Sequence, residues 1–357
     1  MGTRNIIVIG ASAGGFEALK KLSAGLPKDL QAALFIVWHM SPDIRGVLPQ
    51  VLNRADAIYA AHAYDRESIE PNRIYVAPPD RHLLIERGRV RVTRGPKENR
   101  FRPAIDPLFR SAAYVYGSRV IGVILSGALD DGTAGLWMVK HRGGTTIIQD
   151  PSDAEVPSMP MNALRNVAVD YSVPVAEMSD LLVRLSREQV AETAEVVVMK
   201  DDEKTQIEIG IAAEGSAFES GIMKFGVLTP YTCPECHGVL SKLKDGDRAR
   251  FRCHTGHAFS ADSLLATVTE NVEGSLYSAM RGVEESVMLL NNIGDHFAEI
   301  NQPKLAALYF KKAKEAEARA QLVRQAILSH EQLSKDALQQ QAEETNSDKT
   351  KQSGEEA

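Results

Sequence analysis

Residues 6–15 read Ile-Ile-Val-Ile-Gly-Ala-Ser-Ala-Gly-Gly, and this stretch decides the fold. The apolar run over residues 6–9 predicts a buried strand, and the glycines that follow predict a sharp turn into a helix beginning near Phe16. In a parallel α/β sheet the reactive crevice lies at the carboxyl ends of the strands. Because Gly10-x-Ser12-x-Gly14 matches the pattern of a nucleophile elbow, Ser12 is a candidate nucleophile.

The same turn is compatible with two other interpretations. A dinucleotide-binding fingerprint requires Gly-x-Gly-x-x-Gly, but its middle glycine is replaced by Ser12, and the second strand ends in Trp38-His39-Met40 where an acidic residue is expected. Alternatively, Ser12 only caps the following helix by accepting one of its unpaired N–H groups. A nucleophile, a nucleotide site and a helix cap therefore stay open on this stretch alone.

The composition is that of an ordinary soluble protein. The 357 residues include 44% hydrophobic and 25% charged side chains, with a net charge of −6. The N-terminus lacks the pattern of a signal peptide and no apolar segment is long enough to span a membrane, so we expect a cytoplasmic protein without membrane insertion. The acidic balance gives no reason to expect a nucleic acid as partner.

Polar residues follow two further predicted strands. The strand over residues 32–38 ends in His39, which would lie close to Ser12 if the two strands are neighbours about 4.8 Å apart. The strand over residues 120–125 is followed by Asp130 and Asp131. These acids either form a turn or cap the next helix, or one of them accepts the Nδ1 hydrogen of His39 and fixes its tautomer.

The alternation of strands and helices predicts an α/β fold with a doubly wound, mostly parallel sheet. A β-hairpin over residues 82–85 and 89–92 interrupts the parallel pattern. Helices are predicted over residues 100–116, with Pro103 near the first turn, and over residues 178–190.

Serine, histidine and aspartate in this order are accompanied by three further motifs: Ala77-Pro78-Pro79-Asp80, Asn99-Arg100-Phe101-Arg102-Pro103 and Met159-Pro160. Together they resemble the CheB family of chemotaxis protein-glutamate methylesterases over residues 4–190. The resemblance implies hydrolysis of glutamyl γ-methyl esters on chemoreceptor helices with release of methanol, often with deamidation of receptor glutamines. It implies Ser12 as nucleophile, His39 as base and Asp131, not Asp130, as the acid that orients the base, with no cofactor for catalysis.

Two alanines are assigned to the substrate side of this site. By analogy with other nucleophile elbows, the N–H of Ala13 is the first donor to the oxyanion. Ala128 stands where the family commonly has methionine, so it is predicted to contact the oxyanion or substrate as well. The best-known members carry a receiver domain ahead of the esterase. Only three residues precede Arg4, so control by a receiver within the chain is not expected.

All three cysteines lie in one short region, which favours a metal site in a reducing compartment over a disulfide framework. Cys233 and Cys236, followed by Cys253 and His257, give the spacing C-x2-C-x16-C-x3-H, which predicts a tetrahedral structural zinc in a zinc-ribbon-like module. His257 is the predicted fourth ligand, with His237 and His254 as alternatives. A closed four-ligand site leaves no position for a reacting water, so we expect the zinc to hold the module together. The alternative is a set of buried, unligated thiols.

The C-terminal residues predict two long helices. Beyond Ser260, a candidate N-cap, apolar residues recur every three or four positions, Asn301-Gln302-Pro303 breaks the pattern, and a second helix is predicted over residues 304–339. Such a short break predicts an α-helical hairpin. The two apolar stripes either bury one another or form a surface for a homodimer or a docking partner.

The predicted organisation is a catalytic domain over residues 1–190, an acidic linker over 191–226, the zinc-ribbon-like module over 227–260, the hairpin over 261–340 and a disordered tail over 341–357. The favoured function is a serine hydrolase acting on methylated chemoreceptor helices. A signalling scaffold that retains the esterase fold without activity is the first alternative, and a nucleotide-binding module is the second.

Overall fold

The computed structural model of the protein describes residues 2–39, 47–55, 57–190, 202–214, 217–245 and 248–331, with positions 333, 334, 338 and 341. The chain divides into two compact units, Met1–Leu264 and Leu265–Ala357. Within the described ranges, no helix combines the length and the apolar character needed to cross a bilayer.

The first 190 residues contain eleven strands and six helices within the described ranges. The strands are β1 Gly2–Thr3, β2 Ile6–Ala11, β3 Ala33–Trp38, β4 Tyr59–His62, β5 Arg73–Val76, β6 His82–Glu86, β7 Arg89–Thr93, β8 Val120–Ile124, β9 Thr145–Gln149, β10 Tyr171–Val173 and β11 Gln189–Val190. The helices are α1 Gly15–Ala24, α2 Val47–Asn53, α3 Ile105–Tyr116, α4 Thr133–His141, α5 Ser158–Asn166 and α6 Val175–Ser186.

Seven of these strands form one parallel sheet in the order β10-β9-β8-β2-β3-β5-β4. Alternate residues of β2 enter different cores: Ile7 and Ile9 pack on one face of the sheet, and Ile6 and Val8 pack on the other. Because both faces are buried, the strand reads as a continuous apolar run. The predicted α/β fold with a large parallel sheet is confirmed.

Strand β2 lies at the point where the chain changes direction across the sheet, with β3 on one side and β8 on the other. Ligands of open α/β sheets bind at such a switch point, beyond the carboxyl ends of the strands. The residues that follow β2, β3 and β8 therefore meet at one edge of the sheet.

Two predicted helices have different bounds in the structure. Helix α3 begins at Ile105, so residues 100–103 form a loop and not the first turn that the sequence suggested. Helix α6 ends at Ser186, and the following β11 pairs with β1 in the antiparallel direction. The hairpin β6–β7 forms a separate two-stranded antiparallel sheet.

The rest of the first unit contains a helix and a small antiparallel sheet. These elements are α7 Asp202–Glu214, β12 Gly226–Thr232, β13 Val239–Asp245, β14 Arg248–Cys253 and β15 Ala258–Ser260. Helix α7 lies in the segment that the acidic composition predicted to be a weakly structured linker. That prediction is wrong for residues 202–214, and residues 191–201 lie outside the described part of the chain.

Two long helices follow, α8 Ala261–Glu299 and α9 Pro303–Leu328. In the second unit they are joined by a ring stack and by hydrogen bonds, through the pairs Phe297–Tyr309, Glu284–Arg324 and Thr269–His330. Residue numbers fall along α8 as they rise along the partner segment, so the helices run antiparallel. Helix α9 ends at Leu328, eleven residues before the predicted end, and the predicted tail beyond residue 341 lies outside the described residues.

Candidate active site

Ser12 lies in the turn between β2 and α1. Its N–H donates to the carbonyl of Ser126 at 2.9 Å, and the indole of Trp38 donates to the Ser12 carbonyl at 3.1 Å. Gly14 occupies the N-cap of α1 with φ of 70°, and a β-carbon there would lie 2.6 Å from Ser126 Oγ. No side chain caps α1, so the interpretation of Ser12 as its cap is wrong.

Ser126 holds this turn from the adjacent strand, a role that the sequence analysis did not assign. Its hydroxyl donates to the Ala13 carbonyl at 2.7 Å and accepts the N–H of Val156 at 2.9 Å. Its own N–H donates to the side chain of Gln149 at the end of β9, also at 2.9 Å. Three strand ends are thereby tied to one another around Ser12.

His39 follows β3 directly and lies beside the same turn. Strands β2 and β3 pair Ala11 with Trp38, and the N–H of His39 donates to the Ala11 carbonyl at 3.0 Å. The next residues of the two strands are therefore Ser12 and His39. The imidazole is 3% exposed, and its Nε2 lies 2.9 Å from Asp131 Oδ2.

The contact between His39 and Asp131 uses a different ring nitrogen from the one predicted. The sequence analysis assigned Nδ1 of His39 to the acid, but the structure pairs Nε2 with it. Nδ1 is buried and has no hydrogen-bond partner among the described residues. Nδ1 is therefore the ring nitrogen that has no hydrogen-bond partner within the described part of the chain.

Asp131 lies at the N-terminus of α3 and accepts several hydrogen bonds. The N–H of Ile105 donates to Oδ2 at 2.7 Å, and Oδ1 receives Asn99 Nδ2 at 2.8 Å and the N–H of Gly132 at 3.0 Å. These donors come from the first turn of α3, from Asn99 and from the next residue in the chain. Asp131 is thus held as an acceptor facing the imidazole.

Phe101 covers the other side of the base. Its ring stacks on His39 with 3.7 Å between centroids and 10° between planes. The motif that contains Phe101 was recognised in the sequence, but its contact with His39 was not predicted. The stack restricts rotation of the imidazole while Asp131 fixes its tautomer.

Ser12 and His39 line one pocket with a volume of about 570 Å³. Its walls are formed by Ser12, Ala13, Gly14, Phe16, Trp38, His39, Asp80, Lys97, Arg100, Phe101, Arg102 and Pro103. Ala13 is therefore placed at the pocket as predicted, whereas Ala128 is exposed and is not among the lining residues. Since the Ala128 side chain ends at its β-carbon, it cannot reach where a methionine would.

Two further acids near Asp131 have raised pKa values. Burial, with the neighbouring Asp131 carboxylate, raises the pKa of Asp106 to about 6. Burial raises the pKa of Asp130 to about 7, although the hydrogen bond it accepts from Ser260 at 2.7 Å opposes this shift. Asp130 therefore faces Ser260 and not His39, which separates the two adjacent aspartates.

Comparison with known proteins identifies the family to which the first half of the chain is similar. The family model described as CheB methylesterase matches residues 7–182. A Leptospira interrogans protein, provisionally named a protein-glutamate methylesterase/protein-glutamine glutaminase, is 38% identical over 182 residues, which cover 51% of this chain and 94% of the relative. The chain belongs to the CheB methylesterase family.

Other CheB relatives show how far this likeness extends. A Methanosarcina mazei protein named protein-glutamate methylesterase/protein-glutamine glutaminase 2 is 35% identical over 192 residues, 52% of each chain. The crystal structure of the Thermotoga maritima CheB methylesterase catalytic domain is 34% identical, with a TM-score of 0.50, and covers 52% of this chain and 99% of that one. The likeness to this hydrolase family of chemotaxis thus lies in the first half of the chain.

Beyond the CheB match, the small sheet brings together the four predicted metal ligands. The ligand atoms of Cys233, Cys236, Cys253 and His257 all lie within 4.8 Å of one another. His257 Nδ1 lies 3.6 Å from Cys253 Sγ and 3.8 Å from Cys233 Sγ, so His257 joins the cluster, whereas His237 and His254 do not. Hydrogen bonding between two sulfurs raises the pKa of Cys233 and lowers that of Cys253.

Proposed function

We propose that this chain is a protein-glutamate methylesterase that uses Ser12, His39 and Asp131. The observation that carries the proposal is the orientation of His39. Its Nε2 lies 2.9 Å from Asp131, and its Nδ1 has no hydrogen-bond partner among the described residues. His39 and Ser12 line the same pocket. A base oriented by a carboxylate next to a serine on a tight turn is the arrangement that activates a hydroxyl for attack on an acyl carbon.

The reaction begins with proton transfer from Ser12 to His39. Ser12 Oγ attacks the γ-carbonyl carbon of a methylated glutamate while Nδ1 of His39 accepts the hydroxyl proton. The tetrahedral intermediate collapses, the bond to the methoxy oxygen breaks, and His39 returns the proton so that methanol leaves. Water then attacks the acyl-enzyme by the same route and releases the glutamate side chain and free Ser12.

Asp131 and Ala13 stabilise the charges that form. Asp131 stabilises the imidazolium through Nε2–H, and N–H donors from α3 and Asn99 hold its oxygens in place. The N–H of Ala13 follows the nucleophile directly and is the proposed donor to the oxyanion. Loss of such a donor typically costs about 2.7–4 kcal/mol in the transition state.

The proposed substrates are glutamyl methyl esters on chemoreceptor helices. Two relatives are named for glutaminase activity as well, and the same chemistry on a glutamine side chain would release ammonia. Helix-borne side chains fit a pocket that opens at the edge of the sheet and is lined by Phe16, Phe101 and Arg100. In the proposed complex, Phe16 and Phe101 contact the aliphatic part of the glutamyl side chain. The Arg100 guanidinium faces acidic side chains beside it on the receptor helix.

Methanol release from a methylated receptor tests this function, with Ser12→Ala as the catalytic variant. We expect release by the wild-type protein and none above background by Ser12→Ala. Ser275→Ala is a matched control, because that hydroxyl is exposed and bonds only its own helix at Asn271 O among the contacts shown. Methanol release that survives Ser12→Ala would contradict the mechanism, and an inactive wild-type protein that still binds receptor would favour the scaffold.

We also propose that Zn²⁺ binds the cluster of three cysteines and His257. Zn–S bonds of about 2.3 Å at tetrahedral angles place sulfurs roughly 3.8 Å apart, and Cys236 Sγ lies 3.7 Å from Cys253 Sγ. All four ligands come from the protein, so the ion would stabilise the two turns that carry them and supply no chemistry to Ser12. The structure of this zinc-ribbon-like module is thus proposed to depend on the metal.

Docking of receptor, another protein or a second copy through α8 and α9 stays a prediction. Apolar side chains remain exposed on both helices, among them Leu289 at 60% and Leu322 at 66%. Most apolar positions on a monomer's surface need no partner. Sedimentation of the full chain at several concentrations would test the homodimer.

A further inference from the structure

The loop over residues 95–101, which we call the strap, lies between the pocket and the small sheet. One of its faces pairs with β15: the N–H of Asn99 donates to the Ala258 carbonyl at 2.8 Å, and the N–H of Ala258 donates to the Lys97 carbonyl at 3.2 Å. Glu98 and Ala258 form an isolated parallel bridge. The strap is thereby held as an extra short strand at the edge of the small sheet.

Close packing leaves the strap little freedom on this side. A β-carbon at Gly95 would overlap the carbonyl of Ala212 on α7, and one at Gly256 would lie 2.6 Å from Pro96. Gly256 lies between metal-ligand candidates in the second cysteine turn. The strap can pack this closely against α7 and the module because Gly95 and Gly256 have no side chain.

Charged groups fix the same contact in the interior. Glu98 accepts hydrogen bonds from Arg110 at 2.9 Å and from Arg252 at 2.8 Å, and each of these three side chains is at most 3% exposed. Arg252 and Arg250 also bond Glu208 of α7 at 3.1 Å and 3.0 Å. Separation of the module would break the Arg252–Glu98 pair and expose this buried cluster to water.

Asn99 connects this assembly to the acid of the proposed triad. Its Nδ2 donates to Asp131 Oδ1 at 2.8 Å and to Asp106 Oδ2 at 2.9 Å. Its Oδ1 accepts the N–H of Ser260 at 2.9 Å and the hydroxyl of Ser263 at 3.2 Å. A side-chain amide has two donor hydrogens and one oxygen with two lone pairs, so every position is used.

The four partners fix the orientation of the Asn99 amide. A rotation by 180° would place its oxygen against two carboxylates and its amide hydrogens against the N–H of Ser260. The Ser260 N–H and the Ser263 hydroxyl belong to residues 258–263, which follow the CheB match and which we call the C-terminal segment. Asp131 belongs to the proposed triad. The amide can present its hydrogens to Asp131 in a fixed geometry only while the C-terminal segment holds its oxygen.

We propose that Asn99 is a positioning residue for the esterase, through which the segment 258–263 at the end of the small sheet aligns Asp131 with His39. This inference rests on the proposed function for its catalytic consequence. It assigns the C-terminal segment a part in the reaction geometry although none of its atoms lines the pocket. Asn99 itself does not touch the reacting atoms.

Asn99→Ala in the full chain tests the proposal. We expect kcat for methanol release to fall roughly 10- to 100-fold, as misplacement of a catalytic group by about 1 Å does, with KM within twofold of wild type. NMR follows the resonance of the proton on His39 Nε2. The resonance is assigned by its disappearance in His39→Gln. We expect this resonance to weaken or shift in Asn99→Ala because the acceptor is no longer held in line.

Asn53→Ala is the matched control. Like the Asn99 amide, the Asn53 amide both donates and accepts hydrogen bonds. Its partners are the carbonyl and the N–H of Ala60, at the sheet edge formed by β4. We expect its loss to lower thermal stability without moving kcat or the His39 resonance. Asn99→Ala that behaves in the same way would overturn the proposal.

Ser263→Ala keeps the proposal open to refutation if Asn99→Ala fails to fold. This variant removes one bond to Asn99 Oδ1 and leaves Asn99 and Asp131 in place. We expect a smaller fall in kcat and a shift of the His39 resonance in the same direction, and no change in either would contradict the coupling. Since the resonance is measured without substrate, a wild-type protein that lacks esterase activity would defeat the proposed function while this measurement still decides the coupling.

Discussion

Arg252 donates a 2.8 Å hydrogen bond to Glu98, and this bond joins β14 of the small sheet to the strap beside the pocket. Both side chains are 1% exposed. Burial opposes ionisation of Glu98, but Arg110 and Arg252 outweigh it and hold the pKa of Glu98 well below its usual range. The interior of the first unit therefore contains a charged cluster in which Glu98 and Arg110, inside the CheB match, pair with Arg252 beyond it.

Removal of the Glu98 charge is expected to destabilise the first unit. Glu98→Gln removes the carboxylate that Arg110 and Arg252 both hydrogen-bond in the interior, and breaking such a network typically costs about 3–5 kcal/mol. Urea unfolding followed by tryptophan fluorescence measures the change. Glu17→Gln, which breaks an exposed pair with Lys20, serves as control and is expected to change little; equal effects of the two variants would argue against the buried cluster.

Asp131→Asn is expected to nearly abolish hydrolysis. The asparagine amide would donate to His39 Nε2, so the ring proton would move to Nδ1, which could then no longer accept the proton of Ser12. In a serine protease the corresponding exchange lowers kcat by about 10⁴-fold. Methanol release and fluorophosphonate labelling of Ser12 measure the loss, with Asp130→Asn as the adjacent control that keeps activity. If Asp130→Asn were the inactive variant, the assignment of the acid would be wrong.

Asp130 makes stability depend on pH. Its pKa in the folded protein is about 7, well above the value of about 3.9 expected when unfolded. The folded state therefore binds more protons between these values, and the free energy of unfolding falls as the pH rises through this window. Asp130→Asn removes that loss. At pH 8 we therefore expect the variant to have a higher Tm than wild type and a free energy of unfolding larger by on the order of 2 kcal/mol. Near pH 4 we expect the two proteins to match.

Thermal unfolding across pH 4–8 measures this difference. Parallel curves of Tm against pH for wild type and Asp130→Asn would show that Asp130 is not the group responsible. Asp106, whose pKa is also raised, would then account for a decline between pH 4 and 6.

Metal removal is expected to lower stability and slow the reaction of Ser12. Elemental analysis of protein purified without chelator should give one Zn²⁺ per chain. Dialysis against dipicolinate removes the metal that joins the turns carrying Cys233 and Cys253. We therefore expect Tm to fall and fluorophosphonate labelling of Ser12 to slow. Zn²⁺ restores both and Mg²⁺ does not, because Mg²⁺ prefers oxygen ligands. Metal-free protein with unchanged Tm would contradict a structural ion.

Much of the site follows from local sequence rules. The strand over residues 6–9 and the glycines after it placed Ser12 at a sheet edge, and the strands ending before His39 and Asp131 placed those residues at the same edge. The structure has all three there because the seven strands are parallel. What failed was the choice of ring nitrogen of His39, since the ring's orientation depends on Phe101 and Asp131 and not on its sequence neighbours.

The rest depends on contacts between distant parts of the chain. Residues 100–103 were expected to begin a helix, but they belong to a loop whose Asn99 is held by Ser260, which lies 161 positions later. Residues 202–214 appeared to be a solvated linker because they are acidic, yet Glu208 is a buried partner of Arg250. A local pattern cannot distinguish a solvated carboxylate from one whose arginine lies 42 residues away.

The overlap that a side chain at Gly95 would have with Ala212 shows that α7 serves as an outer wall for the first 190 residues. A chain cut at the end of the CheB match would present Arg110 and Glu98 to water and leave the amide oxygen of Asn99 facing solvent. In the full chain, this face of the homologous region is covered by α7 and the small sheet, and excision of residues 1–190 would leave that flank open to water.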